Sequence, residues 1–216
     1  MHFDQNKTIG ALGTLVVAKW YRARFPKSLL ISMDSAETRR WMNLDDESKR
    51  ADLLGLSVHE GAPRIDVLEV KSGVDDATSV YTIDGAGHLK GKPIDQLQNT
   101  GKSIEAIFGL NEWKDHVLTP PRREILRNHL YRQGLASKQP AQEKLFWSKT
   151  LNELFAGDVH PSVHLNLVLV NLGLNEQAVD ELIDTSQGKK IRLVYLNADT
   201  VNAHLKGTGS GAVVGQ

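Results

Sequence analysis

The chain contains no cysteine, which excludes disulfides and thiolate metal sites and fits a reducing compartment. It has no apolar run approaching the roughly 18 residues that a helical membrane span requires, so no membrane partner is expected. Its opening residues, MHFDQNKTIG, lack the basic-then-apolar pattern of a secretory leader, and a cytoplasmic protein is expected. It also lacks net charge, with 26 Lys plus Arg against 26 Asp plus Glu. Bulk electrostatics therefore announce no nucleic-acid partner, and such a partner needs a local basic patch. There is no internal repeat. What is present is ordinary for a folded protein: 216 residues, 40% hydrophobic and 24% charged, enough to bury a sizeable core.

Hydrophobic periodicity gives the order of elements. Residues 8–25 read as a helix ended by Pro26, and SLLISM as a short buried strand. DSAETRRWMNL reads as a helix that Asp34 or Ser35 can cap, with Glu37 in its first turn. ADLLGLSV and IDVLEVKSG read as strands joined by the turn EGAPR, which suggests an antiparallel hairpin. The chain is then irregular through GAGHLKGKP. Helices follow over 94–108, over PPRREILRNHLYRQGL and over 141–155. VHLNLVLVNL is a strand, DELID a short helical piece and KKIRLVYLN a last strand. The pattern predicts one α/β domain over 1–205, with a core over about 8–135 and an extension over 136–205. The Gly-rich residues 206–216 read as a flexible tail.

The stretch IDVLEVKSG holds the chemistry. Side chains alternate along a strand, so Ile65, Val67, Glu69 and Lys71 share a face. A charged pair on an otherwise apolar strand is costly unless it is paired or binds an ion. If the two strands form a hairpin, Asp52 at the start of the first can lie beside Glu69. Two carboxylates brought together repel unless a divalent cation sits between them, and hard oxygen ligands suit Mg²⁺. With an ammonium nearby, these are parts for metal-assisted phosphodiester hydrolysis.

These residues resemble the core of the PD-(D/E)XK nuclease superfamily: RADLLGL, a turn, then IDVLEVKSG, with Asp52 matching the first Asp and Glu69-Val70-Lys71 matching (D/E)-X-K. The resemblance implies a restriction-endonuclease-like mixed sheet flanked by helices and a Mg²⁺- or Mn²⁺-dependent deoxyribonuclease. Asp52, Glu69 and the Val70 carbonyl would hold the metal, and Lys71 would position the attacking water. Gln96 and Gln98 resemble the auxiliary Gln-bearing helix of several branches. The sequence departs from the pattern in having no acidic residue on its first helix; Asp34 is either a helix cap or a replacement ligand. ISMDSAETRRWMNL through PRREILRNHLYRQGL also resembles the nuclease-like region attached to FtsK/HerA-type ATPases of bacterial antiviral and restriction systems. That implies an ATPase or translocase partner acting on DNA; the zero net charge, which gives little general attraction to DNA, makes a homodimer the other expected route to a grip.

Other motifs leave open choices. Arg39, Arg40, Arg122, Arg123 and Arg127 read either as solvated helix faces or as a DNA-phosphate patch, with Arg132 beyond them on the same helix. Trp41 belongs in the core or stacks on a base. His160 and His164 lack helical ligand geometry because Pro161 and a strand follow. GTGSG lacks the ending of a phosphate loop, and no strand precedes IGALG. Three classes stand: an endonuclease, alone or as the nuclease module of an antiviral defence system; a catalytically idle nuclease-like fold serving DNA binding or assembly; and an α/β domain with a structural Glu–Lys pair.

Overall fold

Two consecutive left-handed residues, Glu60 (φ 51°) and Gly61 (φ 82°), set a tight corner. Positive φ at both central positions is what a two-residue hairpin turn demands, because its twist matches that of the flanking strands. The turn joins β2 (Leu53–His59) to β3 (Ala62–Gly73). The expected five-residue turn EGAPR is thus only two residues long, and β3 begins three residues before Ile65. The computed structural model describes residues 5–42, 50–74, 80–109, 119–135, 140–173 and 177–207. The Gly-rich tail expected as a linker lies outside them from residue 208 onward.

The protein is mixed α/β. Its remaining elements are α1 (Gln5–Arg24), β1 (Ser28–Ser32), α2 (Ala36–Met42), β4 (Thr82–Ile83), β5 (Leu89–Lys90), α3 (Lys92–Phe108), α4 (Thr119–Gly134), α5 (Ala141–Ala156), β6 (Ser162–Asn171), β7 (Val179–Asp184), β8 (Lys190–Leu196) and α6 (Ala198–Lys206). A six-stranded sheet has the order β1-β2-β3-β6-β8-β7 and contains both parallel and antiparallel pairs; β4 and β5 form a separate hairpin. Among the described residues no helix is long and apolar enough to cross a membrane.

The chain divides into two compact units. One comprises Met1–Pro26, Leu68–Leu97 and Leu165–Gln216; the other comprises Lys27–Val67 and Gln98–His164. In the first, β6 pairs parallel with β8 and β7 pairs antiparallel with β8. The run LNLVLVN is buried from Leu165 to Asn171, as a strand covered on both faces must be. In the second, β1 pairs antiparallel with β2, Leu30 opposite Gly55, over a core that includes Met33, Trp41, Leu126 and Trp147. Trp41 is wholly buried, so it is a core residue and not a base-stacking one.

The element order departs from expectation in three places. DELID is strand β7 and not a helical piece. So few residues cannot nucleate a helix unaided, whereas pairing with β8 satisfies their backbone groups. The strand carries Asp180, Glu181 and Asp184, charges suited to a sheet edge. Burial pushes the Asp180 carboxyl up, but Arg192 and Arg24 outweigh it and leave the group below its ordinary value. Residues 198–206, given no element by the pattern, form α6: Asn197 caps it by accepting from Thr200 N at 3.0 Å. Within the stretch read as irregular lies the β4–β5 hairpin. There the Asp84 carboxylate accepts from the amides of Ala86 (2.9 Å) and His88 (3.0 Å) and pairs with Lys90 at 2.8 Å. Lys90, with those amides, holds the Asp84 carboxyl far below its usual range.

α1 lies close against β3. A Cβ built on Gly13 would meet Ser72 Cβ at 2.6 Å, and Ser72 Oγ donates to Ile9 O at 3.0 Å. Nothing lies within 4 Å of a Cβ on Gly10, one turn earlier. Gly10→Ala is therefore expected to stabilise the protein by about 0.5–1 kcal/mol, the usual helix gain over glycine. Gly13→Ala is expected to destabilise it by about 1–3 kcal/mol, as overpacking does. Denaturant midpoints of the two variants check this, and a stabilised Gly13→Ala protein would refute the close approach.

Candidate functional site

β3 is covered on both faces: every side chain from Ile65 to Val70 is buried. Alternation puts Ile65, Val67, Glu69 and Lys71 on one face, and Asp66, Leu68, Val70 and Ser72 on the other. The Glu69 carboxylate has no exposed surface, and its Oε1 accepts a hydrogen bond from Lys71 Nζ at 2.5 Å. The Lys71 side chain is 31% exposed, so the ammonium joins a wholly buried carboxylate to solvent. A buried carboxylate paired at its outer edge with a compact cation is an arrangement that can hold a metal ion or a polar substrate.

α1 touches the opposite face of the strand, through Ser72 and Val70. An acidic residue on the contacting side of α1 would face away from Glu69. Its absence is therefore what this packing gives whether or not the site holds metal.

Asp52 immediately precedes β2 and is half-buried. Its backbone is held firmly: its carbonyl accepts from Met33 N at 2.9 Å, and the preceding Ala51 N donates to Thr100 Oγ1 on α3 at 2.9 Å. Asp52 belongs to the second unit, whereas Glu69, Val70 and Lys71 belong to the first. Gln96 and Gln98 both lie on α3, Gln96 half-buried and Gln98 buried; two residues apart, they do not share a helix face. Asp34 does not cap α2, because Ser35 Oγ accepts from Thr38 N at 3.2 Å. Its carboxylate is 76% exposed and pairs with Arg50 at 2.8 Å. Among the described residues no three His, Cys, Asp or Glu side chains converge as a metal cluster.

The arginines divide. Arg39 and Arg40 are exposed on α2, and Glu37 of that helix pairs with Arg132 of α4 at 3.1 Å. Arg122 is half-exposed. Arg123 and Arg127, by contrast, line a cleft between α4 and α5 together with Asn152 and Phe155. Their i, i+4 spacing places both on one stripe of α4, a signal hidden when Arg122 and Arg132 are counted with them. Asn152 and Phe155 were not singled out in the sequence; their three-residue spacing on α5 was the available clue.

Two buried histidines add a pH response. Burial pushes the imidazole pKa of His129 down, with Glu37 drawing it back up and Arg132 adding to the fall. Burial also lowers that of His204, helped by Lys19, whose Nζ donates to Leu205 O at 3.1 Å. A group whose folded pKa lies below its unfolded value of about 6.5 binds more protons when unfolded. Stability is therefore expected to fall as pH drops from about 6.5 through the folded values. Unfolding midpoints between pH 8 and pH 5 measure it, and His129→Gln should flatten the profile; an unchanged slope in that variant would exclude His129 as a source.

No protein-family model, curated protein or solved structure matches the chain.

Proposed function

We propose that the protein is a Mg²⁺- or Mn²⁺-dependent deoxyribonuclease that hydrolyses phosphodiester bonds at Glu69 and Lys71. The observation that carries this reading is the wholly buried Glu69 carboxylate, bonded at 2.5 Å to a part-exposed Lys71 on the same face of β3. Asp52 enters as the second carboxylate on the sequence motif alone. The donor set fits the ion: two carboxylates and the Val70 carbonyl are hard oxygen ligands, and two carboxylates with waters are what Mg²⁺ usually takes. When bound, the ion supplies Lewis-acid charge and a more acidic bound water. Glu69, fixed in a central strand, holds negative charge at an unvarying position. Lys71 Nζ, reaching toward solvent, orients the attacking water and donates to the phosphoryl oxygens as negative charge builds there.

Exposed Arg39 and Arg40, with Arg122, Arg123 and Arg127, would contact DNA phosphates. With zero net charge the chain alone binds DNA weakly and with strong salt dependence. A homodimer or an ATPase partner in a cytoplasmic antiviral or restriction system would supply the grip. The test is cleavage of linear, circular and single-stranded DNA with Mg²⁺, Mn²⁺ or EDTA; no cleavage of any form with either metal would sink the nuclease reading. A second reading keeps the fold as an idle DNA-binding or assembly module. It is favoured by the same pair, because Lys71 already neutralises the Glu69 charge. Metal binding separates the two readings, since an idle site would not take Mn²⁺.

A further inference from the structure

The cleft between α4 and α5 is a second centre of polar chemistry, built entirely within one unit. It encloses about 380 Å³, inside the range of roughly 300–1,000 Å³ typical of small-molecule sites. Arg123, Arg127 and Asn152 form its polar side, and Pro120, Phe155 and Ala156 its apolar side.

The polar side presents donors. Arg123 is held in place by its Nη2 bond to Leu154 O (3.2 Å) and by the Phe108 ring, whose centroid lies 5.9 Å from the guanidinium carbon. Capping the end of α5 accounts for Nη2. It leaves Nε buried with no hydrogen bond, a condition folded proteins rarely tolerate without a reason. Asn152 Oδ1 accepts from Arg127 Nη2 (3.1 Å) and from Tyr131 Oη (2.9 Å), so the remaining polar atom of that amide is a donor. Glu124, at the rim, has each oxygen engaged, one by Arg127 and one by Asn128 (both 3.3 Å). The first turn of α4 adds little, since Pro120 and Pro121 have no N–H. A cleft lined by two guanidinium groups against one carboxylate, with an amide and an aromatic wall, suits an anion joined to a flat ring.

We propose that this cleft binds a nucleoside monophosphate, free or as the phosphorylated end of a strand. The phosphate takes the Arg123 and Arg127 guanidinium groups and Asn152, and the base lies against Phe155. This goes beyond hydrolysis at Glu69 and needs no metal.

Calorimetric titration in EDTA keeps it separate from the nuclease reading. The probes are dAMP, deoxyadenosine, inorganic phosphate, benzoate, and an oligonucleotide with and without a 5′-phosphate. dAMP is expected to bind with a Kd below about 1 mM, and deoxyadenosine, phosphate and benzoate at least about tenfold more weakly. Arg127→Gln should weaken dAMP about tenfold or more, whereas Phe155→Leu should weaken dAMP and leave inorganic phosphate unchanged. Arg123→Gln should have the largest effect; because Arg123 also holds the end of α5, the other two variants carry the test if it fails to fold. A phosphorylated oligonucleotide binding tighter than dAMP identifies a strand end as the ligand, and equal binding identifies the free nucleotide. The proposal is overturned by the absence of dAMP binding at about 10 mM, by binding that survives both Arg127→Gln and Phe155→Leu, or by phosphate or benzoate binding as tightly as dAMP.

Discussion

Glu69→Gln is expected to abolish metal-dependent DNA cleavage and to remove Mn²⁺ binding, while the protein still folds. The substitution keeps the size of the side chain and its bond to Lys71 Nζ through the amide oxygen, but removes the Glu69 charge that a cation would seek there. Asp52→Ala should have the same effect, since losing either of two carboxylates leaves too little charge to hold a divalent ion. Lys71→Ala should behave differently. An ammonium is not a ligand, so Mn²⁺ binding is kept while turnover falls by about a hundred- to a thousandfold, the usual loss on removing one donor to a developing charge. Mn²⁺ binding by electron paramagnetic resonance and cleavage rates on plasmid DNA read the two effects apart. If wild type and Glu69→Gln cleave equally, the activity belongs to a contaminant. If Lys71→Ala binds Mn²⁺ no better than Glu69→Gln, Lys71 supports the fold of the site and not its chemistry.

The Glu69–Lys71 pair was legible because a period of two is built into any strand, whatever surrounds it. Nothing beyond the apolar run was needed to place both residues on one face. Arg64 and Asp66, on the same strand, obey the same rule but were hidden, because Gly61 and Pro63 made residues 60–64 read as a turn. Only Glu60 and Gly61 turn. DELID misled because Glu and Leu favour helices, and the preference of so short a segment yields to an available strand partner. α6 was within reach: Asn197 is a good cap, Asp199 sits in its first turn and Gly207 closes it in the left-handed conformation (φ 76°). The cleft of Arg123 and Asn152 was out of reach. It exists only because α4 packs on α5, and which helix faces which is a tertiary fact that no local pattern carries.

Arg64→Met is expected to destabilise the protein by about 3 kcal/mol, the lower end of the cost of breaking a buried ion pair. Asp66 is 1% exposed and Arg64 14% exposed. Arg64 Nε and Nη2 grip the two carboxylate oxygens of Asp66 at 2.8 and 2.7 Å, a fork only arginine provides. Removing the guanidinium leaves the carboxylate desolvated without its main compensating charge. The part-exposure of Arg64 is why the lower end applies. Arg64→Met with Asp66→Leu should recover most of the loss, because an apolar pair of similar volume avoids burying charge at all. The comparison with Lys71 gives this pair its further use. Lys71 meets Glu69 through a single ammonium at Oε1 and is 31% exposed, an arrangement less suited to stabilising a fold. Lys71→Met should therefore cost less than half of what Arg64→Met costs in urea denaturation. Equal losses would mean that both pairs are structural struts of β3, and the Glu69 carboxylate would then have a complete explanation without any substrate.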